Sequence, residues 1–433
     1  MKNFFIFFLS ALSTVFLYSN SNILLGGVGI NNSIAYSVNS GVATPIKGIV
    51  VNPKVIIKAV AINNNGNGIL GGWYNNSSGN AIPIAYSVSD GVATEITGIP
   101  NSEGIIYSVA INNSGNGILG GQYYKDNSWF PLAYSVSDGV ATEITRIPNS
   151  EGIIYSVAIN NSGNGILGGQ YYKDNSSFPL AYSVSDGIAT EITGIPTSQG
   201  DIKAVAINNN GNGILGGWYN NSSGEEIPLA YSVSDGVATE ITRIPNSEGV
   251  IYSVAINNIG NGILGGMYRG TSLAPLAYSV SGGFAKEITG IPTSQGDIKA
   301  VAINNSGNGI LGGEYYNNSS GEEIPLAYSV SKGVATEITG IPNSEGIIYS
   351  VAINDSENGI LVGHKNSSQE EIPLAYSVSE GVATEITGIP NSRGIIYSVA
   401  INNNPGDGVS VGGSSGSGIS SGGSSGTGLS GTK

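Results

Sequence analysis

Four groups of residues have types and spacings that chemistry could use. His364 is the only histidine in 433 residues. A Ser-His-Asp triad, a zinc site or an imidazole base would have to use it. Lys365 and Asn366 follow it, so it reads as part of a solvated loop and receives no catalytic role. The carboxylate pairs Glu225-Glu226, Glu322-Glu323 and Glu370-Glu371 form the second group. Paired carboxylates can cleave glycosides. Adjacent residues in a strand point to opposite faces, however, and these pairs read as solvated loop ends. In the third group, Asn112, Ser114 and Asn116 precede Gly117 with calcium-loop spacing. Every ligand position there is neutral and no bidentate Glu follows, so the segment reads as a turn that tolerates positive φ. No metal, no cofactor and no catalytic residue is expected.

The fourth group is aromatic. Trp73-Tyr74, Tyr123-Tyr124, Tyr171-Tyr172, Trp218-Tyr219, Met267-Tyr268 and Tyr315-Tyr316 each open a segment in which Asn, Ser and Gly are common. Flat rings beside amide side chains suit a sugar or a protein partner, and loops on a rigid scaffold usually carry recognition. These aromatic residues are the candidate ligand-binding set. The competing reading is that the rings pack between neighbouring units.

The elements that must position them come from a repeat. The phrase Leu-Ala-Tyr-Ser-Val, with Ile for Leu in the first two copies, places tyrosines at 36, 86, 134, 182, 231, 278, 328 and 376. A period of about 48 residues means one supersecondary unit, each copy burying its apolar face on the next.

One copy shows the unit. Residues 105–112 read as strand A, 117–123 as strand B, 131–137 as strand C and 140–145 as strand D. Asn113-Ser114-Gly115-Asn116 forms the A–B turn, 124–130 a polar B–C loop, and Asp138-Gly139 a hairpin turn. Four short strands without helical periodicity predict a blade of a β-propeller. In strand A, Tyr107, Val109 and Ile111 are expected on one face, with Ser108 and Ala110 on the other. Strand D carries Thr and Glu and reads as a charged outer edge. A right-handed β-solenoid with two coils per period is the alternative. Hairpin signals such as Asp138-Gly139 speak against it.

The frame of the repeat predicts how the ring closes. The first copy starts at strand B, with Ile23-Leu24-Leu25-Gly26-Gly27, and lacks its own strand A. The last element, 395–402, is a lone strand A. An eight-bladed all-β propeller of four-stranded blades over 22–403, closed by a C-terminal innermost strand, follows.

Ser-Val-Ala-Ile-Asn-Asn-Ser-Gly-Asn-Gly-Ile-Leu-Gly-Gly at 108–121 resembles a stretch of the bacterial extracellular HAF repeat family. Leu132-Ala133-Tyr134-Ser135-Val136-Ser137-Asp138-Gly139 resembles that family's His-Ala-Phe segment, with Leu in place of the His. The pair Gly120-Gly121 is similar to kelch blades, although the kelch Trp on strand D is absent. The resemblance covers 23–402. It implies an exported, propeller-like repeat protein and carries no catalytic residues with it.

Composition narrows the partners. Thirty Asp and Glu against 16 Lys and Arg leave a net charge of −14, which argues against nucleic acid and anionic membranes. Lys2, the apolar run from Phe4 to Leu17 and Ser19-Asn20-Ser21 read as a signal peptide over 1–21, leaving no membrane insertion after cleavage. There is no cysteine, so an exported chain would rely on its core alone. Residues 404–433 are rich in Gly and Ser and read as a flexible tail or linker. The expected protein is a secreted or surface-displayed bacterial scaffold. It is expected to be monomeric and to bind an extracellular protein or glycan without chemistry. A glycan-acting hydrolase or lyase, or a passenger fragment of an autotransporter, is the alternative. An enzyme would need one blade that departs from the others, and the inner strands differ chiefly at Lys58, Lys203 and Lys299, where other copies have Tyr.

Overall fold

The computed structural model describes residues 23–403, except 31–32, 51–53, 149, 271–272, 293–294, 318–320 and 368–369. The signal-peptide and tail readings lie outside the described residues. Among those residues the chain is all β. Its strands form eight four-stranded antiparallel sheets, the blades of a β-propeller.

Blade 1 pairs strand B (Ile23–Gly29), C (Ser33–Asn39) and D (Val42–Pro45) with the last strand of the chain, Gly394–Ile401, which serves as its strand A. Blades 2 to 8 each run A-B-C-D in order, over 55–95, 104–143, 152–191, 200–240, 249–287, 296–337 and 346–385. The closure expected from the shifted frame is therefore present. Strands A of successive blades neighbour one another all round, including blade 8 to blade 1 and blade 1 to blade 2. They line the axis. At the rim, single parallel bridges such as Thr97↔Val140 and Thr387↔Val42 join every blade to the next.

Each core cluster lies between two blades. Ala59, Ala61, Ile69 and Ala85 of blade 2 meet Ile106, Val109, Ile111, Leu119 and Leu132 of blade 3. A small face thus receives a bulky one, which fills the interface densely. The Gly-Gly pair in strand B explains how. A Cβ on Gly71 would lie 2.5 Å from Val109 Cγ1 and 2.8 Å from Ile106 Cγ2, so this glycine is the hollow for the next blade. A Cβ on Gly121 would overlap the Ile105 carbonyl oxygen of its own blade. That close approach accompanies a β-bulge in strand A.

The bulge corrects the expected alternation. Register shifts between Ile106 and Ser108, setting Tyr107 apart from the ladder. Ile106 and Val109, not Tyr107 and Val109, face Gly71 together. The B–C connection also differs from expectation. Strand B runs Gly117–Lys125 and strand C Ser128–Ser137, leaving only Asp126 and Asn127 as a turn, with φ of 50° and 65°. Two positive-φ residues give the I′-type twist that suits a tight hairpin. Tyr123, Tyr124 and Phe130 are strand residues.

Candidate site at the channel mouth

Antiparallel order puts the A–B and C–D turns at one end of the ring. The B–C hairpins and the D-to-A connections lie at the other. Asn112 Oδ1 accepts from the backbone N–H of Ser114 and Asn116, at 3.1 and 3.0 Å, so the calcium-like spacing is an Asx turn. A cleft of about 570 Å³ between blades 2 and 3 also lies at the A–B end, lined in part by Asp90 and Asp138.

The B–C end gathers the residues that differ between blades. The strand-A bulge occurs in all eight blades, at Lys58, Tyr107, Tyr155, Lys203, Tyr252, Lys299, Tyr349 and Tyr397. These side chains form a belt around the axis. Where Tyr follows Tyr, the rings tilt against each other, with centroids 6.4 Å apart for Tyr107–Tyr155 and 6.2 Å for Tyr349–Tyr397. Where Lys follows Tyr, the ammonium lies over the ring: Lys58 over Tyr397 at 4.3 Å, Lys203 over Tyr155 at 4.5 Å and Lys299 over Tyr252 at 5.7 Å. Burial lowers Lys58 to about 8.

Beside the belt, strand A pairs with strand B at a variable position. The pairs are Ile395↔Val28, Ile56↔Trp73, Ile105↔Gln122, Ile153↔Gln170, Asp201↔Trp218, Val250↔Met267, Asp297↔Glu314 and Ile347↔His364. Blades 5 and 7 carry charge there. Asp201 Oδ2 lies 2.6 Å from Lys203 Nζ, and the Trp218 side chain donates to Asp201. In blade 7, Lys299 Nζ lies 2.7 Å from Asp297 Oδ2 and 3.1 Å from Glu314 Oε1. The Tyr316 hydroxyl donates to Glu314 Oε1 at 3.4 Å.

Burial dominates the titration of this cluster. It raises Asp201 and Asp297 despite the lysines beside them. Glu314 is pushed up to about 7, by burial first, with Lys299 opposing. Burial alone would lower Lys299, but Asp297 and Glu314 outweigh it and hold the ammonium charged. Tyr252 is raised to about 12, by burial and then by Asp297, with Glu314 and Asp201 adding to the effect. One tyrosine therefore senses the carboxylates of both blades.

His364 does not lie in a solvated loop. It lies within strand B of blade 8 (Gly359–Ser367), is 4% exposed and stacks on Tyr349 with centroids 5.5 Å apart. Burial lowers its pKa, with Glu371 and Glu345 opposing. The acidic pairs before strand C also change. Glu226, Glu323 and both Glu370 and Glu371 lie in strands, and Glu226 pairs with Arg269.

The aromatic candidates divide into two sets. Tyr74, Tyr123, Tyr171, Tyr219, Tyr268 and Tyr315 pack against the inter-blade cores. Tyr268 also bonds to the Tyr278 hydroxyl at 2.9 Å. For these six, packing is what the structure shows. Trp73, Tyr124, Tyr172, Trp218 and Tyr316 take the other face of strand B, the face of the variable pairs. Gln170 donates to the Tyr172 hydroxyl there, and Tyr124 tilts against Trp129 at 5.2 Å. The bulge belt and the buried carboxylates escaped the aromatic reading. Their signal was the change from Gly-Ile-Ile-Tyr-Ser to Gly-Asp-Ile-Lys-Ala at 200–204 and 296–300.

The fold and this site define an eight-bladed β-propeller with a belt of tyrosines and lysines at one mouth of its axis. No family model matches the chain, and no curated protein does. Among solved structures, it is similar to the propeller domain of the Trilobed protease from Pyrococcus furiosus. That match has 10% identity and a TM-score of 0.47, and covers 77% of this chain and 98% of that one. An acylaminoacyl peptidase from Pyrococcus horikoshii matches with 10% identity and a TM-score of 0.48, over 77% of this chain and 52% of that one. An ulvan lyase matches with 10% identity and a TM-score of 0.42, over 70% and 88%. Likenesses this distant carry no function to this chain.

Proposed function

We propose that this propeller is an exported, non-enzymatic binding scaffold whose ligand is a carbohydrate taken at the B–C mouth of the channel. One observation carries the reading. The scaffold positions repeat from blade to blade, while the residues that vary lie on the strand-B face toward this mouth, where the rings of Trp73, Tyr124, Tyr172 and Trp218 share a face with the amides of Gln122 and Gln170. Flat apolar faces with fixed polar neighbours are what a sugar ring requires. Likeness to the HAF repeats and the N-terminal apolar run support export. The test is a glycan array with purified protein and with Trp73→Ala and Trp218→Ala. Selective binding that both variants lose supports the reading. An empty array contradicts it.

A second reading, chemistry on a glycan, is favoured by blade 7. It shares its inner-strand sequence with blade 5 but has Glu314 where blade 5 has Trp218, which sets two carboxylates on one lysine, with Glu314 in the range of a general acid at neutral pH. Reducing-end release from any arrayed glycan, lost in Glu314→Gln, would replace binding with catalysis.

A further inference from the structure

The buried groups at the channel mouth share an imbalance. Two carboxylates in blade 7 share the Lys299 ammonium, and each keeps one oxygen without a hydrogen-bond partner among the described residues, Asp297 Oδ1 and Glu314 Oε2. Both residues are more than nine-tenths buried, at 4% and 2% exposed. Asp201 Oδ1 and Asn220 Oδ1 of blade 5 are buried without partners too, and so is His364 Nδ1 of blade 8. Four of these five atoms can only accept while the carboxyls are ionised, and a neutral imidazole can also offer Nδ1 as an acceptor. Tyr252 and Tyr349 link the groups. Lys299 lies over the Tyr252 ring and Tyr349 stacks on His364; burial, and after it the nearby carboxylates, raise the pKa of both tyrosines. Buried acceptors without donors are costly, and a ligand rich in N–H donors removes that cost.

Charge points the same way. The chain has a net charge of −14. The tyrosine belt already holds ammonium groups, because Lys58, Lys203 and Lys299 each lie over a ring. Lys299 is the outermost member of its cluster. Its side chain is 24% exposed, against 6% for Asp297 and 2% for Glu314. Lys299 is therefore the group that an entering ammonium would displace.

We propose that the mouth between blades 5 and 8 is a subsite for the free ammonium group of an amino sugar, received by Asp297 and Glu314 against Tyr252 and Tyr349. This rests on the carbohydrate-binding reading and names its ligand class. Trp218 and Tyr316 supply ring faces and Asn220 an amide, with Tyr172 and Gln170 of the adjacent blade 4 adding one of each, so the ammonium belongs to a sugar and not to an extended peptide.

The test is calorimetry with a β-1,4-linked glucosamine hexamer, its N-acetylated counterpart and hexalysine, on the full chain. Acetylation removes the charge and leaves the sugar. The glucosamine hexamer is expected to bind at least about tenfold more tightly than the acetylated one, a gain in the range of a charged hydrogen bond. Glu314→Gln should erase that preference. Gln occupies the equivalent position in blades 3 and 4, so the variant suits the fold. Lys299→Met removes the internal competitor and should tighten binding of the glucosamine hexamer. A purely structural cluster would lose binding in both variants. Equal affinity for the two hexamers, or tighter binding of hexalysine, overturns the subsite. If only the acetylated hexamer binds, the subsite falls and carbohydrate binding stands. If no sugar binds, both fall.

Discussion

The backbone N–H of Asn403 donates to Asn64 Oδ1 at 3.2 Å, across 339 residues of sequence. This bond completes a circle. Each blade's equivalent residue accepts from its predecessor: Asn113 from Asn64, then Asn161, Asn209, Asn258, Asn305, Asp355 and finally Asn403. A second latch lies deeper, where Val60 N–H donates to Ser398 Oγ at 3.2 Å. The ring is closed by strand pairing, side-chain bonding and packing together.

Deleting residues 394–403 should therefore lower the melting temperature sharply. The deletion removes the pairing partner of Ile23–Gly29 and the buried side chains of Ile396, Val399 and Ile401, each worth about 1.5–3 kcal/mol. Asn403→Ala alone should cost about 1 kcal/mol, the scale of one net hydrogen bond. Thermal unfolding followed by circular dichroism distinguishes the two. An unchanged midpoint in the deletion would mean that the last strand does not close the ring.

The glycines should differ by position. Gly121→Ala sets a Cβ against the Ile105 carbonyl, a backbone atom that cannot rotate away, and should destabilise by about 3 kcal/mol. Gly139→Asn places a residue that tolerates φ of 76° in open space and should cost less than about 0.5 kcal/mol. Urea midpoints of the two variants give the comparison. Similar values would refute the close approach at the bulge.

The pH dependence of stability should carry the mark of Glu314. Its folded pKa of about 7 lies above its ordinary 4.5, so folding takes up a proton between those values. The stability from its neutral form is complete below about pH 4.5 and is lost as the pH rises to about 7. Glu314→Gln should flatten that part of the stability curve. Equal slopes for wild type and variant between pH 4.5 and 7 would place the carboxyl in water.

Architecture was legible in the sequence because it repeats. The period gave the blade, Asp138-Gly139 gave a hairpin, and the missing first strand A gave the closure. The site was less legible. A strict two-residue alternation assigns Tyr107 to the core face, and only the bulge, which the close approach of Gly121 to a carbonyl accompanies, separates it. His364 looked solvated beside Lys365, because a sequence does not reveal that Tyr349 stacks over it. The aromatic pairs were read as one set, yet successive strand residues face opposite ways, so the tyrosine following Trp73 or Trp218 packs between blades.

A ligand held at the B–C mouth engages only one end of the ring. The decisive measurement is binding of array-selected glycans to three proteins: wild type, Trp73→Ala/Trp218→Ala, and Asp90→Asn/Asp138→Asn. The last pair alters the cleft at the opposite end. Loss of binding in the tryptophan variant, with wild-type affinity in the aspartate variant, is the predicted result. The reverse pattern, or binding that neither variant disturbs, would contradict a site at the B–C mouth.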